Sequence, residues 1–386
     1  MSILALLPSQ TVSVTSSGKL VMTRKFISGM ALYAQLWDGP VRALLNVVPG
    51  SPALDNVEVD PSDLPFQAIP VSFERQDFYP HLQGVAVALG GPHYQLHGWV
   101  KRALAMGVQP VSCVEYSLQT RLDIARAEGA STFQIAKRSA WEIREEVRNL
   151  RDLSRSAAIQ CNGTPTYDTY HHINSNTLLY FDTRVSESDY ATQEHTHNRL
   201  HRYFSGAPLH LAFSGRWIRM KGVHHLTDMA QELSCRKVPY KFSICGGGDL
   251  ETYLRGEIQR LQLKDVQLLG NLNFTKELLP LMREQVDLFV APHIQGDPAC
   301  TYLETLACGV PIVGYANEAW SGILNRAPVG WSAPVGDPKA LARVIASLEK
   351  SELAERSLAA LQFAKAHSFE RTYEARVQHL ASCTRS

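Results

Sequence analysis

Short apolar runs alternate with amphipathic, helix-like stretches along most of this chain. In the first half, the runs that predict strands are "ILALL", "VRALLNVV", "GVAVALG", "QPVSCVEY", "AAIQCN" and "TLLYF". Stretches such as "LVMTRKFISGMALYAQL" and "FQIAKRSAWEIREEVRNLRDLSRS" lie between them and predict helices. Strands that are apolar throughout and separated by helices are typical of parallel sheets covered on both faces. The pattern therefore predicts an α/β fold.

The second half of the chain repeats this alternation. Its predicted strands are "LHLAFSG", "YKFSICG", "VQLLG", "VDLFVAP" and "VPIVGY", and the tail is helical. Between the halves, residues 186–206 are polar and predict a linker. At 386 residues the chain exceeds the size at which a single core keeps growing. We expect two doubly wound, Rossmann-like domains facing a cleft, at residues 1–190 and 206–365, followed by a helix at 366–386.

Composition excludes some classes of partner. The formal net charge of +1 gives no electrostatic reason to expect a nucleic acid. The seven cysteines are scattered without a CxxC pair, which favours free thiols in a reducing cytoplasm. The apolar amino terminus lacks a basic leader segment and predicts a first strand. No apolar run approaches the roughly 20 residues that cross a bilayer, so we expect any membrane contact to be peripheral.

Ligands of open parallel sheets bind beyond the carboxyl ends of the strands, so the loops that follow the strands are the candidate binding sites. In "LHLAFSGRWIRMKGVHHLTDMAQEL" a strand ends at Gly215, and Arg216, Arg219 and Lys221 crowd the loop before an apolar helical stripe. Cations beside a helix amino terminus bind anions, because the free amides and the helix dipole add to their charge. This pattern favours a phosphate site over a solvated basic loop.

A glycine-rich loop follows the next predicted strand, in "YKFSICGGGDLETYL". Gly246 and Gly247 would let the backbone approach a ligand closely. A plain strand-to-helix turn explains the same glycines equally well. By itself this loop does not decide between the two.

A third strand end is "VDLFVAPHIQGDPACTYLETLACGVPIVGY", which predicts a helix from Asp297 and Pro298 to Gly309. Asp297 and Glu304 lie about two turns apart on one face, roughly 10 Å along the axis. An N-cap role explains Asp297 as well as a ligand contact does. Glu304 stands in an apolar segment, where an ionised carboxylate is costly to bury without donors. We therefore expect a ligand to meet Glu304.

Together these segments resemble the retaining glycosyltransferases of family 4, which have the GT-B fold. The resemblance is specific over about residues 209–325, through "SGRWIRMKG", "ICGGGDLETYL", "LLGNLNFTKELLPLMREQVDLFVAP" and "TYLETLACGVPIVGY" in this order. It implies retaining sugar transfer from a nucleotide diphosphate sugar, without a metal or other cofactor, in surface polysaccharide or glycoconjugate synthesis. It also implies that the carboxyl-terminal helices pack back on the first domain.

The resemblance assigns roles to individual residues. Arg216 and Lys221 match the residues that bind the donor diphosphate, and Glu304 matches the second glutamate of the family's E-x7-E motif, which holds the ribose hydroxyls. Leu272 and Phe274 are candidates to flank the nucleobase. The other residues expected at the donor are Gly215, Gly246, Gly247, Pro298, Ala299, Cys300 and Thr301.

Two positions depart from the family pattern. The first glutamate of the motif falls on Gly296, and Asp297 follows it, so Asp297 is either a shifted catalytic carboxylate or only a cap. Many relatives have a histidine after the strand that reads "PVSCVEY" here. Glu115 occupies roughly that place and is the candidate catalytic residue of the first domain.

The first domain is expected to hold the acceptor, which the resemblance leaves as a glycan, a lipid-linked or a small molecule. Gly18 and Lys19, in the loop after the first strand, are expected on the acceptor side, and Lys19 is expected to begin the next helix. Two alternatives to a transferase stay open. One is a nucleotide-sugar epimerase of the same fold, and the other is a non-catalytic nucleotide-sugar-binding protein.

Three histidines, His195, His197 and His201, lie in "HTHNRLHRYF". The last two have the spacing of metal ligands on a helix. In a polar linker, solvated histidines are the more common explanation. We therefore expect no metal site there.

A basic stripe in the long predicted helix bears on membrane contact. It consists of Arg144, Arg148, Arg151 and Arg155, which recur at helical spacing. The acidic residues interleaved with it are Glu142, Glu145, Glu146 and Asp152, and ion pairs on a solvated face explain much of the pattern. Contact with anionic lipid headgroups at the cytoplasmic leaflet is the alternative.

Overall fold

The computed structural model of the protein describes residues 2–50, 56–127 and 131–384. The chain forms two compact units, of which the first comprises Met1–Ser117, Ala140–Tyr180 and Glu370–Ser386. The second comprises Leu118–Ser139 and Phe181–Phe369. This division differs from the expected one, since residues 118–139 and 181–190 group with the second unit. Hydrogen bonds explain the grouping of residues 181–190, because Phe369 N donates to Val185 O at 3.4 Å and Tyr190 Oη donates to Ala364 O at 2.9 Å.

The strands fall where the apolar runs lie, with a few additions. Within the described residues they are β1 (Ile3–Leu7), β2 (Ser13–Val14), β3 (Leu20–Thr23), β4 (Val41–Asn46), β5 (Asn56–Val59), β6 (Gln67–Val71), β7 (Val85–Gly90), β8 (Gln109–Val114), β9 (Ala158–Asn162), β10 (Thr177–Tyr180), β11 (Leu209–Ser214), β12 (Tyr240–Cys245), β13 (Val266–Gly270), β14 (Leu288–Ala291), β15 (Ile312–Tyr315) and β16 (Gly330–Ala333).

The helices connect these strands. Within the described residues they are α1 (Arg24–Leu36), α2 (Trp99–Ala105), α3 (Leu118–Ala127), α4 (Thr132–Arg155), α5 (Gly163–Tyr170), α6 (Gln193–Phe204), α7 (Leu226–Cys235), α8 (Glu251–Arg260), α9 (Leu279–Glu284), α10 (Cys300–Ala307), α11 (Glu318–Leu324), α12 (Pro338–Ala346), α13 (Lys350–Ala366) and α14 (Phe369–Ala381). Among the described residues, none of the helices combines the length and hydropathy that a bilayer-crossing helix needs.

The main sheet of the first unit has the strand order β10-β9-β8-β7-β1-β4-β6 among its described residues. Every neighbouring pair in it is parallel. Successive residues of β1 enter different cores: Leu4 and Leu6 pack on one side, whereas Ala5 and Leu7 pack on the other. Both faces of the sheet are therefore covered, which is why its strands are apolar without alternation.

A small antiparallel sheet of β2, β3 and β5 stands beside the main sheet and was not expected. The sequence predicted one helix from Leu20 onward, but residues Leu20–Thr23 form β3 and the helix begins at Arg24. Thr23 sets this start, because its side chain accepts a hydrogen bond from Phe26 N and caps α1.

The second unit contains a parallel sheet with the order β13-β12-β11-β14-β15-β16 among its described residues. Strand order reverses between β11 and β14, since successive strands run outward from this pair in both directions. The helix stripe predicted after β11 is buried, with Leu226, Ala230 and Leu233 at 0% exposure. The expectation of two doubly wound α/β domains is confirmed.

The predicted linker is wrong, because residues 193–204 form α6 and pack within the second unit. Thr192 caps this helix, and His195 completes a capping box. Arg199 is buried and donates to the carbonyl oxygens of Arg283, at 3.0 Å, and of Cys308 and Gly309. Arg199 thus occupies the buried face of α6, where a pattern search expects an apolar residue, and its guanidinium donates to three carbonyl oxygens there. The helix therefore lacks the apolar stripe by which sequence patterns are detected.

The two carboxyl-terminal helices divide between the units. Helix α13 remains with the second unit, whereas residues from Glu370 onward, in α14, group with the first. Within the first unit Arg376 Nε donates to Gln160 Oε1 at 2.9 Å, and Gln160 Nε2 donates to Arg376 O at 3.0 Å. This buried reciprocal pair fixes α14 to β9.

Between residues 140 and 155, within the first unit, helix α4 buries charged side chains and exposes apolar ones. The carboxylate side chains of Glu142, Glu145 and Glu146 are buried. Tyr170 Oη donates to Glu146 Oε1 at 2.8 Å, and Arg148 donates to Glu145 at 2.7 Å. The expectation of interleaved carboxylates on the solvated face is therefore wrong for these three glutamates.

Candidate functional site

The point where strand order reverses in the second unit locates the candidate site. Strands β11 and β14 are parallel neighbours, so their carboxyl ends open at the same edge. Loops 215–225 and 292–299 follow them. These loops carry Arg216, Lys221 and Asp297, three of the residues that the sequence singled out.

Backbone packing holds the two loops together. Ile294 N donates to Met220 O at 3.3 Å. Gly222 has φ of 66°, and a Cβ atom at this position would overlap Pro292 O. Glycine is therefore required at 222, both for its left-handed backbone and for the close approach of the neighbouring loop.

An ion pair joins the two loops at their side chains. Lys221 Nζ lies 2.7 Å from Asp297 Oδ2, and Lys221 is only 8% exposed. Asp297 N donates to Gln295 Oε1. The predicted N-cap role of Asp297 is wrong, because Ala299 occupies the N-cap of α10 and makes no side-chain cap hydrogen bond. Asp297 is instead the partner of the buried lysine.

The remaining cations of the β11 loop are exposed. Arg216 and Arg219 both lie on the surface of the loop beside buried Lys221. Burial, with the charges of His225 and Arg219, lowers the pKa of His224 to about 4, so this residue is neutral near pH 7. Two exposed guanidinium groups and a buried ammonium group at one strand end form a site that favours an anionic ligand.

The glycine-rich loop after β12 packs on the β11 loop. A Cβ atom at Gly246, where φ is 127°, would overlap Gly215 O, and Trp217 N donates to Gly247 O at 2.8 Å. Buried Trp217 also donates its indole N–H to Cys245 O at 3.3 Å. Loop-on-loop packing therefore explains the requirement for glycine at 246 without invoking a ligand.

Glu304 lies in α10 and is only 9% exposed, so its carboxylate needs a partner. Arg184 is that partner, since its Nε lies 2.8 Å from Glu304 Oε1. The Arg184 guanidinium also lies over the ring of Phe274, with Cζ 3.7 Å from the ring centroid. Arg184 therefore links two residues that the sequence assigned separately to the ribose and to the base.

The other predicted donor residues lie in the loop after β13 and at the amino terminus of α10, within the second unit. Leu272 and Phe274 are half-buried on the loop after β13, where Asn273 caps a π-helical turn at Phe274–Leu278. Cys300 Sγ lies 3.4 Å from Asp182 Oδ2. Pro298, Ala299 and Thr301 are half-buried as well.

With this geometry established, residues 204–365 match the model of a family described as "Glycosyl transferases group 1". The match covers less than half of the chain. The segment contains both strand-end loops and helix α10. Membership of family 4 within it stays a prediction.

Two curated relatives align with part of the chain. The "Putative colanic acid biosynthesis glycosyltransferase WcaL" of Salmonella typhimurium is 26% identical over 151 residues, covering 38% of this chain and 37% of the relative. The "Amylovoran biosynthesis glycosyltransferase AmsK" of Erwinia amylovora is 26% identical over 152 residues, again 38% and 37%. The match therefore spans less than two fifths of the length of these relatives.

Solved structures show the fold of the whole chain. HepE of Anabaena, in a complex with UDP, is similar with a TM-score of 0.68 at 14% identity, over 99% of this chain and 100% of HepE. A HepE complex with UDP-glucose has a TM-score of 0.65 at 13% identity, over the same shares. Sucrose-phosphate synthase of Thermosynechococcus elongatus has a TM-score of 0.63 at 16% identity, over 99% of this chain and 98% of the synthase. The GT-B fold class is confirmed.

The remaining predicted residues lie in the first unit, outside residues 204–365. Glu115 follows β8 and accepts hydrogen bonds from Asn162 Nδ2 at 2.7 Å and from Tyr180 Oη at 3.2 Å. Cys113 lies beside it, and burial raises the pKa of this thiol to about 12. Glu115 is thus part of a structured polar network at the carboxyl ends of β8, β9 and β10.

Gly18 and Lys19 form a hairpin turn between β2 and β3. Gly18 N donates to Thr15 O at 3.0 Å, and Thr15 N donates to Lys19 O at 2.9 Å. The prediction that Lys19 begins a helix is therefore wrong, since β3 follows it directly. Its acceptor-side role stays a prediction.

The histidine cluster lies on α6. His197 and His201 stack with their ring centroids 6.2 Å apart, and His195 takes part in the capping box. Across the described ranges, no group of three or more His, Cys, Asp or Glu side chains is arranged to hold a metal ion.

Sequence reasoning missed several residues at the group 1 site. The predicted boundary at residue 190 places Arg184 in the first domain, and no local sequence pattern distinguishes this residue. His293 and Gln295 follow β14 and are each 1% exposed, with His293 Nδ1 and Gln295 Nε2 lacking hydrogen-bond partners among the described residues. The sequence does offer one indication of His293 and Gln295, since they are polar residues on either side of Ile294, directly after an apolar strand.

Proposed function

We propose that this chain is a retaining, metal-independent glycosyltransferase that takes its sugar from a nucleotide diphosphate sugar. The observation that carries the proposal is the buried Lys221–Asp297 pair on the loops of β11 and β14, beside exposed Arg216. Its place at the reversal of strand order is where open α/β sheets bind nucleotides. The family of residues 204–365 and the UDP and UDP-glucose bound by HepE support the same ligand class.

The diphosphate of the donor would lie against Arg216 and Lys221. Charge develops on its leaving oxygen as the glycosidic bond breaks, and fixed cations at that point lower the barrier without reorganisation. Two side-chain cations meet this charge, so the proposed mechanism requires no metal ion. Asp297 keeps Lys221 in place through its 2.7 Å contact.

The nucleoside would lie against Glu304 and Phe274. A carboxylate accepts hydrogen bonds from two ribose hydroxyls, and an aromatic ring offers a stacking surface to a base. Arg184 contacts both groups, so donor binding requires Glu304 Oε1 to share or exchange this partner.

The acceptor would be a glycan, a lipid-linked or a small molecule, bound by the first unit near Glu115, Gly18 or Lys19. The names of WcaL and AmsK refer to colanic acid and amylovoran biosynthesis, which supports a role in polysaccharide synthesis. We place the enzyme in the cytoplasm, peripheral to the membrane. The seven unpaired cysteine thiols and the exposed face of α4 support this.

A donor screen tests the proposal. Purified protein is incubated with UDP- and GDP-sugars, with and without candidate acceptors and with EDTA, and thermal shift selects the donor that binds. We expect nucleotide release and a new glycoside whose anomeric configuration matches that of the donor. An isomerised donor would identify an epimerase instead, and binding without turnover would identify a nucleotide-sugar-binding protein. Activity that EDTA abolishes and a divalent metal restores would refute metal independence.

A further inference from the structure

Strand order also reverses in the first unit, between β1 and β7. Strands β4 and β6 lie on one side of this pair, and β8, β9 and β10 lie on the other. The two strands end in register, with Leu7 opposite Gly90. Ligands of open parallel sheets bind at such a reversal. The loop after β7, residues 91–98, is therefore a candidate binding site separate from the donor site of the second unit.

The loop after β7 is attached to the neighbouring strands. A Cβ atom at Gly91 would lie 3.0 Å from Cys113 O, so glycine allows the loop to pack closely on the end of β8. Asn46, the last residue of β4, donates through Nδ2 to Gln95 Oε1 at 3.4 Å. Leu96 is buried in a core of the first unit. Side chains that this loop exposes therefore have fixed attachment points.

His93, in this loop, presents a directed hydrogen-bond donor. Its Nδ1 accepts from Gln95 N at 3.3 Å, and a ring nitrogen that accepts carries no proton, so the proton of the neutral ring lies on Nε2. Burial, with the charge of His97, lowers the pKa of His93, so the ring is neutral near pH 7. Among the described residues, Nε2 has no hydrogen-bond partner and is not one of the buried atoms that lack one. The Nε2–H group is therefore accessible to a ligand.

Tyr94 places a flat apolar surface beside this donor. Its side chain is 56% exposed, and its ring lies against the imidazole of His93 with the centroids 4.6 Å apart. A single exposed aromatic residue is common and needs no function. An exposed ring next to a directed donor, at a reversal of strand order, has the composition of a small-molecule site.

The charge of the loop restricts the class of ligand. Residues 91–98 contain no Lys, Arg, Asp or Glu. The Glu145 carboxylate, which contacts His97, is compensated by Arg148 at 2.7 Å. A phosphate would need fixed cations, which the loop does not supply. A pyranose ring has an apolar C–H face that can stack on an aromatic ring and hydroxyl oxygens that can accept from an N–H group, so a sugar fits both side chains.

We propose that His93 and Tyr94 form a subsite for a sugar unit of the acceptor, in which the Tyr94 ring stacks on the pyranose and His93 Nε2–H donates to one of its hydroxyl oxygens. This inference rests on the proposed glycosyltransferase function. It narrows the acceptor to a free or lipid-linked molecule that carries a sugar. It also places that sugar at the loop after β7 and not at the hairpin of Gly18 and Lys19.

Saturation-transfer NMR with simple glycosides tests the role of Tyr94. The probes are the methyl glycosides of glucose, galactose, mannose and N-acetylglucosamine, with excess UDP and GDP present to fill the donor site. We expect at least one probe to bind the wild type, and Tyr94→Ala to bind it about fivefold more weakly. Tyr94→Phe keeps the ring and should bind like the wild type. Tyr253→Ala, which removes a 43% exposed tyrosine from α8 in the second unit, is the matched control and should change nothing.

His93→Asn separates ligand binding from structure. Its Oδ1 can still accept from Gln95 N, whereas no atom remains at the position of Nε2. We expect an unchanged midpoint of thermal unfolding and about fivefold weaker glycoside binding. With the acceptor found in the transfer assay, both His93→Asn and Tyr94→Ala should raise the KM for the acceptor and leave nucleotide release to water unchanged.

The outcomes distinguish this inference from the proposed function. The subsite would be overturned if the wild type bound none of the four glycosides, or if Tyr94→Ala bound them as tightly as Tyr253→Ala does. Equal binding of cyclohexylmethanol and the glycosides would also overturn it, since the surface would then recognise any apolar ring. Donor-dependent nucleotide release, and with it the proposed function, would survive these results. Absence of nucleotide-sugar binding in the donor screen would instead refute the proposed function, while glycoside binding at Tyr94 could still be measured.

Discussion

Arg184 Nε lies 2.8 Å from Glu304 Oε1, and the same guanidinium lies 3.7 Å from the ring centroid of Phe274. One cation thus contacts both a nearly buried carboxylate and an aromatic ring. These are the two groups that we assign to the ribose and to the base. In the chain without a donor, Arg184 supplies the hydrogen bond that Glu304 requires in its apolar surroundings.

Replacing Glu304 should weaken donor binding. Glu304→Ala removes a charged acceptor, and hydrogen bonds to charged groups contribute about 1.5–3 kcal/mol, so affinity for the nucleoside diphosphate should fall at least about tenfold. Glu304→Gln should be milder because its amide keeps one acceptor oxygen. Calorimetric titration with the free nucleoside diphosphate measures both. An affinity equal to the wild type would disprove the ribose contact.

Replacing Arg184 should separate stability from binding. Arg184→Ala leaves the Glu304 carboxylate without its 2.8 Å partner, which should lower the free energy of unfolding by about 1–3 kcal/mol. Ribose hydroxyls then have no competitor for Oε1, so nucleoside diphosphate affinity should stay the same or rise. Thermal shift with and without ligand checks both. A loss of affinity would show that Arg184 itself contacts the nucleotide.

Much of the parallel-sheet framework was predictable from apolar runs, because strands buried on both faces need no polar alternation. The edge strand β6, "QAIPV", escaped notice since it contains proline and exposed residues. Helix α6 was missed because a buried arginine, Arg199, takes the place of an apolar stripe. Both failures concern elements that departed from the hydrophobic patterns used.

The candidate site was predictable only in part. Lys221, Asp297 and Glu304 stand at strand ends or in a short helix, where position along the chain indicates a role. The partner of Glu304 was not predictable, since Arg184 lies far from it in sequence. Which side chains meet depends on how strand-end loops pack, as at Gly222 and Pro292. The spacing of residues along the sequence does not predict that packing.

Arg216 and Lys221, both on the β11 loop, should differ in their effect on stability. Arg216 is exposed, so Arg216→Ala should change the free energy of unfolding by less than about 0.5 kcal/mol. Lys221→Met leaves Asp297 without its partner and should cost about 1–3 kcal/mol. Both should lower turnover by about 100-fold, because each meets charge on the leaving diphosphate.

Nucleotide release under saturating donor, together with urea unfolding, checks this pair of variants. Equal stability losses in Arg216→Ala and Lys221→Met would contradict the difference in burial. Unchanged turnover in Arg216→Ala would remove it from the diphosphate site.

Buried histidines should make the protein less stable in acid. Burial, chiefly, lowers the pKa of His210 from 6.5 to about 4, and its Nε2 lies 2.9 Å from Ser243 Oγ. Between pH 6.5 and pH 4, His210 is protonated in the unfolded chain but largely neutral in the folded chain. The free energy of unfolding therefore falls as pH falls from 6.5 towards 4. At pH 5 this contribution is about 1–2 kcal/mol.

His210→Gln tests this origin of the pH dependence, because its amide remains neutral and can still bond Ser243. The variant should lose less stability than the wild type between pH 7 and pH 5 in urea unfolding experiments. The pKa values of His224 and His367, also lowered to about 4 by burial, leave a remaining slope in both proteins. Parallel slopes for wild type and variant would exclude His210 as a contributor.

The outer face of α4 should bind anionic membranes. Trp141, Ile143 and Val147 are 46%, 51% and 48% exposed, and Arg144 and Arg151 are exposed beside them. The helix turns its glutamates inward, so they do not cancel the charge of these arginines. Tryptophan favours the membrane interface, and each basic residue near an anionic surface contributes about 1 kcal/mol.

We expect co-sedimentation with phosphatidylglycerol-containing vesicles but not with phosphatidylcholine alone. The double variant Arg144→Gln with Arg151→Gln should bind about 30-fold more weakly at low salt, since it loses about 2 kcal/mol. Arg255→Gln with Arg260→Gln, on exposed positions of α8 in the second unit, removes the same charge and should bind like the wild type. Equal losses in both double variants would reduce the effect to net charge, and equal recovery with both lipids would leave α4 as a solvated face.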